Sequence, residues 1–131
     1  MSERQTVNAF LAWSRARIER LEPRAVPAAT EAGAILIDTR CAEQRRTTGV
    51  IPGSTHIPLS VLYWRLDPAS ASADSRLADT AARVILICAH GYSSSIAAAT
   101  LRDLGFPRAS DVIGGFEAWQ AAGLPVVAAT D

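Results

Sequence analysis

The sequence predicts an α/β domain built on a largely parallel β-sheet. Residues 34–38 and 84–87 are short apolar runs with the composition of strands buried on both faces. Strand-like and helix-like stretches also alternate along the chain, and such alternation places parallel strands side by side with helices packed over them. No internal repeat or low-complexity tract interrupts this pattern.

Bulk properties narrow the field. A chain of 131 residues has room for one domain with a proper core. With 49% hydrophobic residues and a formal net charge of zero, nothing draws it electrostatically to nucleic acid or to a membrane surface. All 13 basic residues are arginine, which reads as compositional bias and not as a functional signal. No apolar run is long enough to span a bilayer. Two cysteines are too few for a disulfide scaffold, and the first residues lack the apolar core of a signal peptide. The expected compartment is the reducing cytoplasm.

In chain order, Ser2 to Gln5 fits a capping box opening a helix predicted over residues 3–21 and ended by Pro23. Val7, Phe10, Leu11, Ile18 and Leu21 fall near one stripe of it, and Ser14 interrupts that stripe. Two destinations stay open for this helix: packing on the domain or joining two chains as a homodimer. Pro27 allows only a short helix starting there. Residues 34–38 form a strand ending in Asp38, followed by a polar, arginine-rich connection over 40–48. Pro52-Gly53 makes a turn, residues 54–57 a short strand, and 59–66 a short helix stopped by Asp67-Pro68. Residues 69–80 read as a surface loop or loose helix. The central strand, 84–87, precedes a helix predicted over 95–104 and capped by Ser93 or Ser94. Residues 110–113 are another short strand, and Gly114-Gly115 turns into a helix over 116–121.

Cys88 stands where the central strand stops and the loop to the next helix begins. Unpaired helical N–H groups and the helix dipole favour a thiolate at such a place, which would make Cys88 a nucleophile. The alternative is a small apolar residue closing a core strand. In open parallel sheets the chemistry lies outside the carboxyl ends of the strands. Asp38 and Arg40 share that edge with Cys88, which favours the reactive reading.

Together these residues resemble the rhodanese family of sulfurtransferases. Asp38-Thr39-Arg40 is similar to that family's aspartate–x–arginine strand end. Residues 49–53 are similar to its glycine–histidine–isoleucine–proline–glycine turn, with Val50 in the histidine's place. His56-Ile57-Pro58 matches the segment after that turn. The loop Cys88, Ala89, His90, Gly91, Tyr92, Ser93 matches its active-site loop, and residues 114–119 with 123–125 match its C-terminal signature. The resemblance implies a mostly parallel sheet flanked by helices on both faces. It divides the chain into an N-terminal helical extension, residues 1–22, and a rhodanese-like domain, residues 23–131.

The resemblance also implies a chemistry. Cys88 takes a sulfane sulfur from a small donor such as thiosulfate and passes it, as a persulfide, to a thiol or cyanide acceptor. Backbone N–H groups of residues 89–93, with Ser94 behind them, hold the anionic sulfur. No cofactor, metal, nucleic acid or membrane partner is expected. Many family loops carry arginine where this chain has Ala89 and Ser93, so backbone dipoles must hold the anion almost unaided. A catalytically idle rhodanese-like binding module is therefore the rival reading. The related phosphatases use a longer loop ending in arginine; Ser94 stands there, which argues against phosphate-ester hydrolysis. Asp38 and Arg40 are expected to fix the loops as an ion pair, with Glu43 a candidate third member. His90 is either an anion-binding group or a solvated one. Cys41 is read first as an unrelated free cysteine, and second as a thiol able to resolve a persulfide or to form a protective disulfide with Cys88.

Overall fold

The computed structural model of the protein describes residues 4–130, so Ser2 of the expected capping box lies outside the described residues. Helix α1 (Val7–Arg15) leads into strand β1 (Glu19–Leu21), a 3-10 turn (Pro23–Ala25) and α2 (Val26–Glu31). Then come β2 (Ile35–Asp38), α3 (Ala42–Thr48), β3 (Thr55–His56), a second 3-10 turn (Leu59–Val61) and α4 (Leu62–Leu66). A turn-rich segment precedes β4 (Val84–Ile87), α5 (Ser93–Asp103), β5 (Ser110–Val112) and α6 (Gly115–Ala121).

The five strands form one parallel sheet in the order β1-β5-β4-β2-β3. β4 is central and fully buried, which explains why its sequence is apolar without alternation. Its side chains nevertheless divide by period two. Val84 and Leu86 join Ile37, Leu62, Leu66, Leu101 and Phe106 in one core layer. Ile85 and Ile87 join Leu36, Val26, Phe116 and Trp119 in the other. Helices thus cover both faces, α4 and α5 on one and α2 and α6 on the opposite one. The register Asp38↔Ile87 sets the carboxyl ends of β2 and β4 level, so Asp38 and Cys88 open on the same edge. Among the described residues no helix is long and apolar enough to cross a membrane.

Three elements differ from expectation. The predicted 3–21 helix is cut short: α1 stops at Arg15, and Glu19–Leu21 pair with Ser110–Val112 as an edge strand. Thr6 caps α1, accepting from the Ala9 N–H at 3.0 Å. The side of α1 turned inward carries Ser14, wholly buried and bonded to the Phe10 carbonyl at 2.9 Å, while Val7 and Phe10 face solvent. α1 packs on α5, where Arg15 reaches Ser95. Second, the arginine-rich connection contains helix α3. Ala42, Glu43, Gln44, Arg45 and Arg46 are all good helix formers, and the Gln44 side chain returns to accept from the Cys41 N–H at 3.2 Å. Third, neither Ser93 nor Ser94 caps α5; Tyr92 occupies the cap position, and Ser94 and Ser95 turn their hydroxyls inward for other partners.

Leu86 lies at the centre of the sheet with no solvent exposure. Leu86→Ala is expected to cost about 2–5 kcal/mol of stability, read as a lower urea midpoint at unchanged slope.

Candidate active site

β4 ends at Ile87, and Cys88 begins a tight loop that returns the chain into α5. Gly91 has φ +82°, and a Cβ there would sit 2.7 Å from the Gly114 nitrogen, so only glycine lets loop and turn touch. Gly115 meets the same demand from the other side: a Cβ would lie 2.5 Å from the Cys88 carbonyl oxygen.

The loop carbonyls are turned away from the sulfur and held there. The Cys88 carbonyl accepts from the Phe116 N–H at 2.7 Å, and the Ala89 carbonyl from the Glu117 N–H at 3.1 Å. The Gly91 carbonyl accepts from Arg15 at 2.7 Å and Arg20 at 3.2 Å. The Gly91 N–H, in the peptide plane before that carbonyl, points inward and lies 3.1 Å from Cys88 Sγ. Ser94 Oγ lies 3.2 Å from the same sulfur. Burial pushes the Cys88 thiol up, but hydrogen bonds from the Ser94 and Ser93 hydroxyls and the Ser94 and Gly91 amides outweigh it. The net result is a pKa below the ordinary cysteine value.

Cys88 is 5% exposed and sits in the wall of an open cleft of about 480 Å³. Ala89, His90, Tyr92 and Ser93 line this cleft with it, and Arg40 and Cys41 face it from the end of β2. Gly91 and Ser94 are buried beneath the loop. The His90 imidazole is exposed, with Nδ1 3.3 Å from the Glu117 carboxylate. Cys41 is exposed and unbridged on the same cleft.

Asp38 and Arg40 form a buried bidentate pair, with Arg40 Nε and NH2 donating to the carboxylate at 3.0 and 2.9 Å. The remaining Arg40 donors go to Thr48 Oγ1 and the Gly49 carbonyl, both at 2.8 Å, and the guanidinium lies 3.7 Å over the Phe116 ring. All its donor groups are engaged, so Arg40 holds the cleft wall in place. Glu43 is not the third member of this group. Arg45 is, with Nε 3.4 Å from Asp38, while Glu43 is exposed. His56 Nε2 donates to the Arg40 carbonyl at 2.7 Å, a structural contact.

Sequence reasoning missed a second buried charge group behind the loop. Asp111, wholly buried in β5, accepts from Arg20 Nε at 2.8 Å, Ser94 Oγ at 2.7 Å and Ser95 Oγ at 2.8 Å. The signal was available: a carboxylate in the middle of the predicted strand 110–113 must find a partner once buried. What the sequence does not show is that the partner would be Arg20, which the helix expected over 3–21 had absorbed.

A cysteine at the mouth of a helix on a parallel α/β sheet, with the Gly91 N–H turned onto its sulfur and Ser94 Oγ beside it, defines a thiol-centred loop enzyme or a domain derived from one. The sequence profile of the rhodanese-like domain matches residues 22–122, and the chain belongs to the rhodanese family. It is similar to the thiosulfate sulfurtransferase GlpE of Pseudomonas savastanoi pv. phaseolicola, 38% identical over 103 residues that cover 79% of this chain and 88% of that protein. Among solved structures it resembles a Rhodopseudomonas palustris CGA009 protein of unknown function, described as a possible tyrosine phosphatase. That match has a TM-score of 0.86 and 28% identity, covering 97% of this chain and 98% of the other. The polysulfide-sulfur transferase homodimer of Wolinella succinogenes shares the fold, with a TM-score of 0.72 at 21% identity over 94% of this chain and 88% of that one.

Two outcomes test this geometry. Asp38→Ala leaves Arg40 buried and uncompensated, and is expected to cost about 3–5 kcal/mol in urea unfolding. The alkylation rate of Cys88 is expected to rise with pH and level off below the ordinary cysteine pKa of about 8.5, because the thiolate is the reacting form. A plateau above that value would contradict the hydrogen-bond pattern around the sulfur.

Proposed function

We propose that the protein is a rhodanese-type sulfurtransferase with Cys88 as its nucleophile. The observation that carries this reading is the convergence of the Gly91 N–H and the Ser94 hydroxyl on a sulfur that opens to a cleft. The Cys88 thiolate attacks the outer sulfur of a donor such as thiosulfate. A bond forms between the two sulfurs, the donor's own S–S bond breaks, and sulfite leaves with the electron pair. The product is a persulfide whose terminal sulfur is anionic, the species that inward-facing amides stabilise. An acceptor thiolate, or cyanide in the assay, then attacks that terminal sulfur and releases Cys88 as thiolate. Two unbridged thiols suit a reducing compartment, so we place this activity in the cytoplasm.

Phosphate-ester hydrolysis fits this loop poorly. A phosphate needs a cation facing it, and the position after the loop carries Ser94 hydrogen-bonded to the Asp111 carboxylate. Arg15 and Arg20 reach the loop through its outward carbonyl. The second reading, an idle binding module, is favoured by Ala89 and Ser93 in place of loop arginines.

Intact-mass measurement after thiosulfate treatment separates these readings. The wild-type protein is expected to gain one sulfur and Cys88→Ser none, with thiosulfate-to-cyanide transfer abolished in the variant and its thermal unfolding unchanged. A wild-type protein that takes up no sulfur from any small donor would establish the idle module instead.

A further inference from the structure

Ser94 has one hydroxyl proton and two acceptors within reach. Its Oγ is 2.7 Å from Asp111 Oδ2 and 3.2 Å from Cys88 Sγ. With Cys88 as a thiol, the S–H donates to Ser94, and Ser94 donates to Asp111. With Cys88 as a thiolate, the hydroxyl is needed on the sulfur, and Asp111 must release it. We propose that Ser94 is a two-position donor, and that Arg20, by sharing the Asp111 carboxylate, decides how readily it turns to the sulfur. Asp111 keeps Ser95 Oγ at 2.8 Å and two Arg20 contacts at 2.8 and 3.2 Å when Ser94 leaves, so the turn strands no buried charge.

This assigns active-site work to residues ahead of the matched family segment. Arg20 lies on edge strand β1, and Arg15 at the end of α1 shares with it the Gly91 carbonyl. Ser94 touches the reacting sulfur; Asp111 and Arg20 are positioning residues that act through it. The other ionisable groups around the loop are Arg40 and Cys41 across the cleft, His90 and Tyr92 on the loop, and Glu117 beside His90. The Asp38 carboxylate is held by Arg40 and Arg45. Among the described residues none of these is joined to Cys88 through a single hydroxyl as Asp111 is.

The inference rests on Cys88 being the reactive thiol, but its test needs no sulfur donor. Iodoacetamide labelling of the Cys88 peptide, followed by mass spectrometry across pH, gives the inflection for each variant. Ser94→Ala is expected to move it up by about one pH unit, the size of one hydrogen bond to an ionised group. Arg20→Gln, which leaves Asp111 a stronger competitor, is expected to move it up as well. Asp111→Asn, which loosens the hold on Ser94, is expected to move it down. In a Ser94→Ala background the Asp111→Asn shift should vanish, since the coupling runs through the hydroxyl. An equal shift with and without Ser94 would overturn the proposal, as would an upward shift in Asp111→Asn. Where Asp111→Asn does not fold, Arg20→Gln decides: an unchanged or lowered inflection refutes the switch. Absence of a persulfide alongside these shifts would remove the proposed function and leave the switch standing.

Discussion

The structure around Cys88 depends on which way a few peptide planes face. A loop this tight brings carbonyl oxygens and N–H groups equally close to the sulfur, and an anion tolerates only the N–H groups. Here the carbonyls of Cys88, Ala89 and Gly91 are each held outside by a donor from another part of the chain. α6 provides two of those donors from the backbone of its first turn, and the N-terminal segment provides the third set from arginine side chains. The loop's electrostatics is therefore made by its neighbours more than by its own side chains.

The same need explains why two buried ion pairs flank the cysteine. Asp38–Arg40 closes the end of β2, and Asp111–Arg20 ties β5 to β1. Buried pairs of this kind are weak sources of net stability, because desolvation offsets most of their attraction. Their value is geometric. Each arginine extends past its carboxylate to a backbone carbonyl, Gly49 for Arg40 and Gly91 for Arg20, and so locks a loop to a strand end. The N-terminal segment, which looked like an appendage, is where half of this bracing originates.

Legibility in the sequence followed the range of the interaction. Residues 84–87 were readable because four consecutive buried positions leave an apolar signature that no distant residue can alter. Cys88, Gly91 and the Gly114-Gly115 turn were readable because local chemistry requires those residue types there. α3 was obscured by its arginines, of which Arg45 turns inward to Asp38 while Arg46 stays exposed, so its charge pattern resembles a loop while its propensities are helical. The inward side of α1 was misjudged because Ser14 satisfies its hydroxyl within the helix, freeing a polar residue to be buried while Val7 and Phe10 face solvent.

By itself the sequence determined the fold class, the family and the thiol at the mouth of α5, since these follow from periodicity, composition and short motifs. Only the tertiary structure decided that Arg15 and Arg20, more than 70 positions from Gly91, would hold its carbonyl, and that Asp111 would share a hydroxyl with the cysteine. The physical reason is that a hydrogen bond is directional and short-ranged. Which donor meets which acceptor is settled by how strands align in the sheet, and strand order leaves no local mark on the chain.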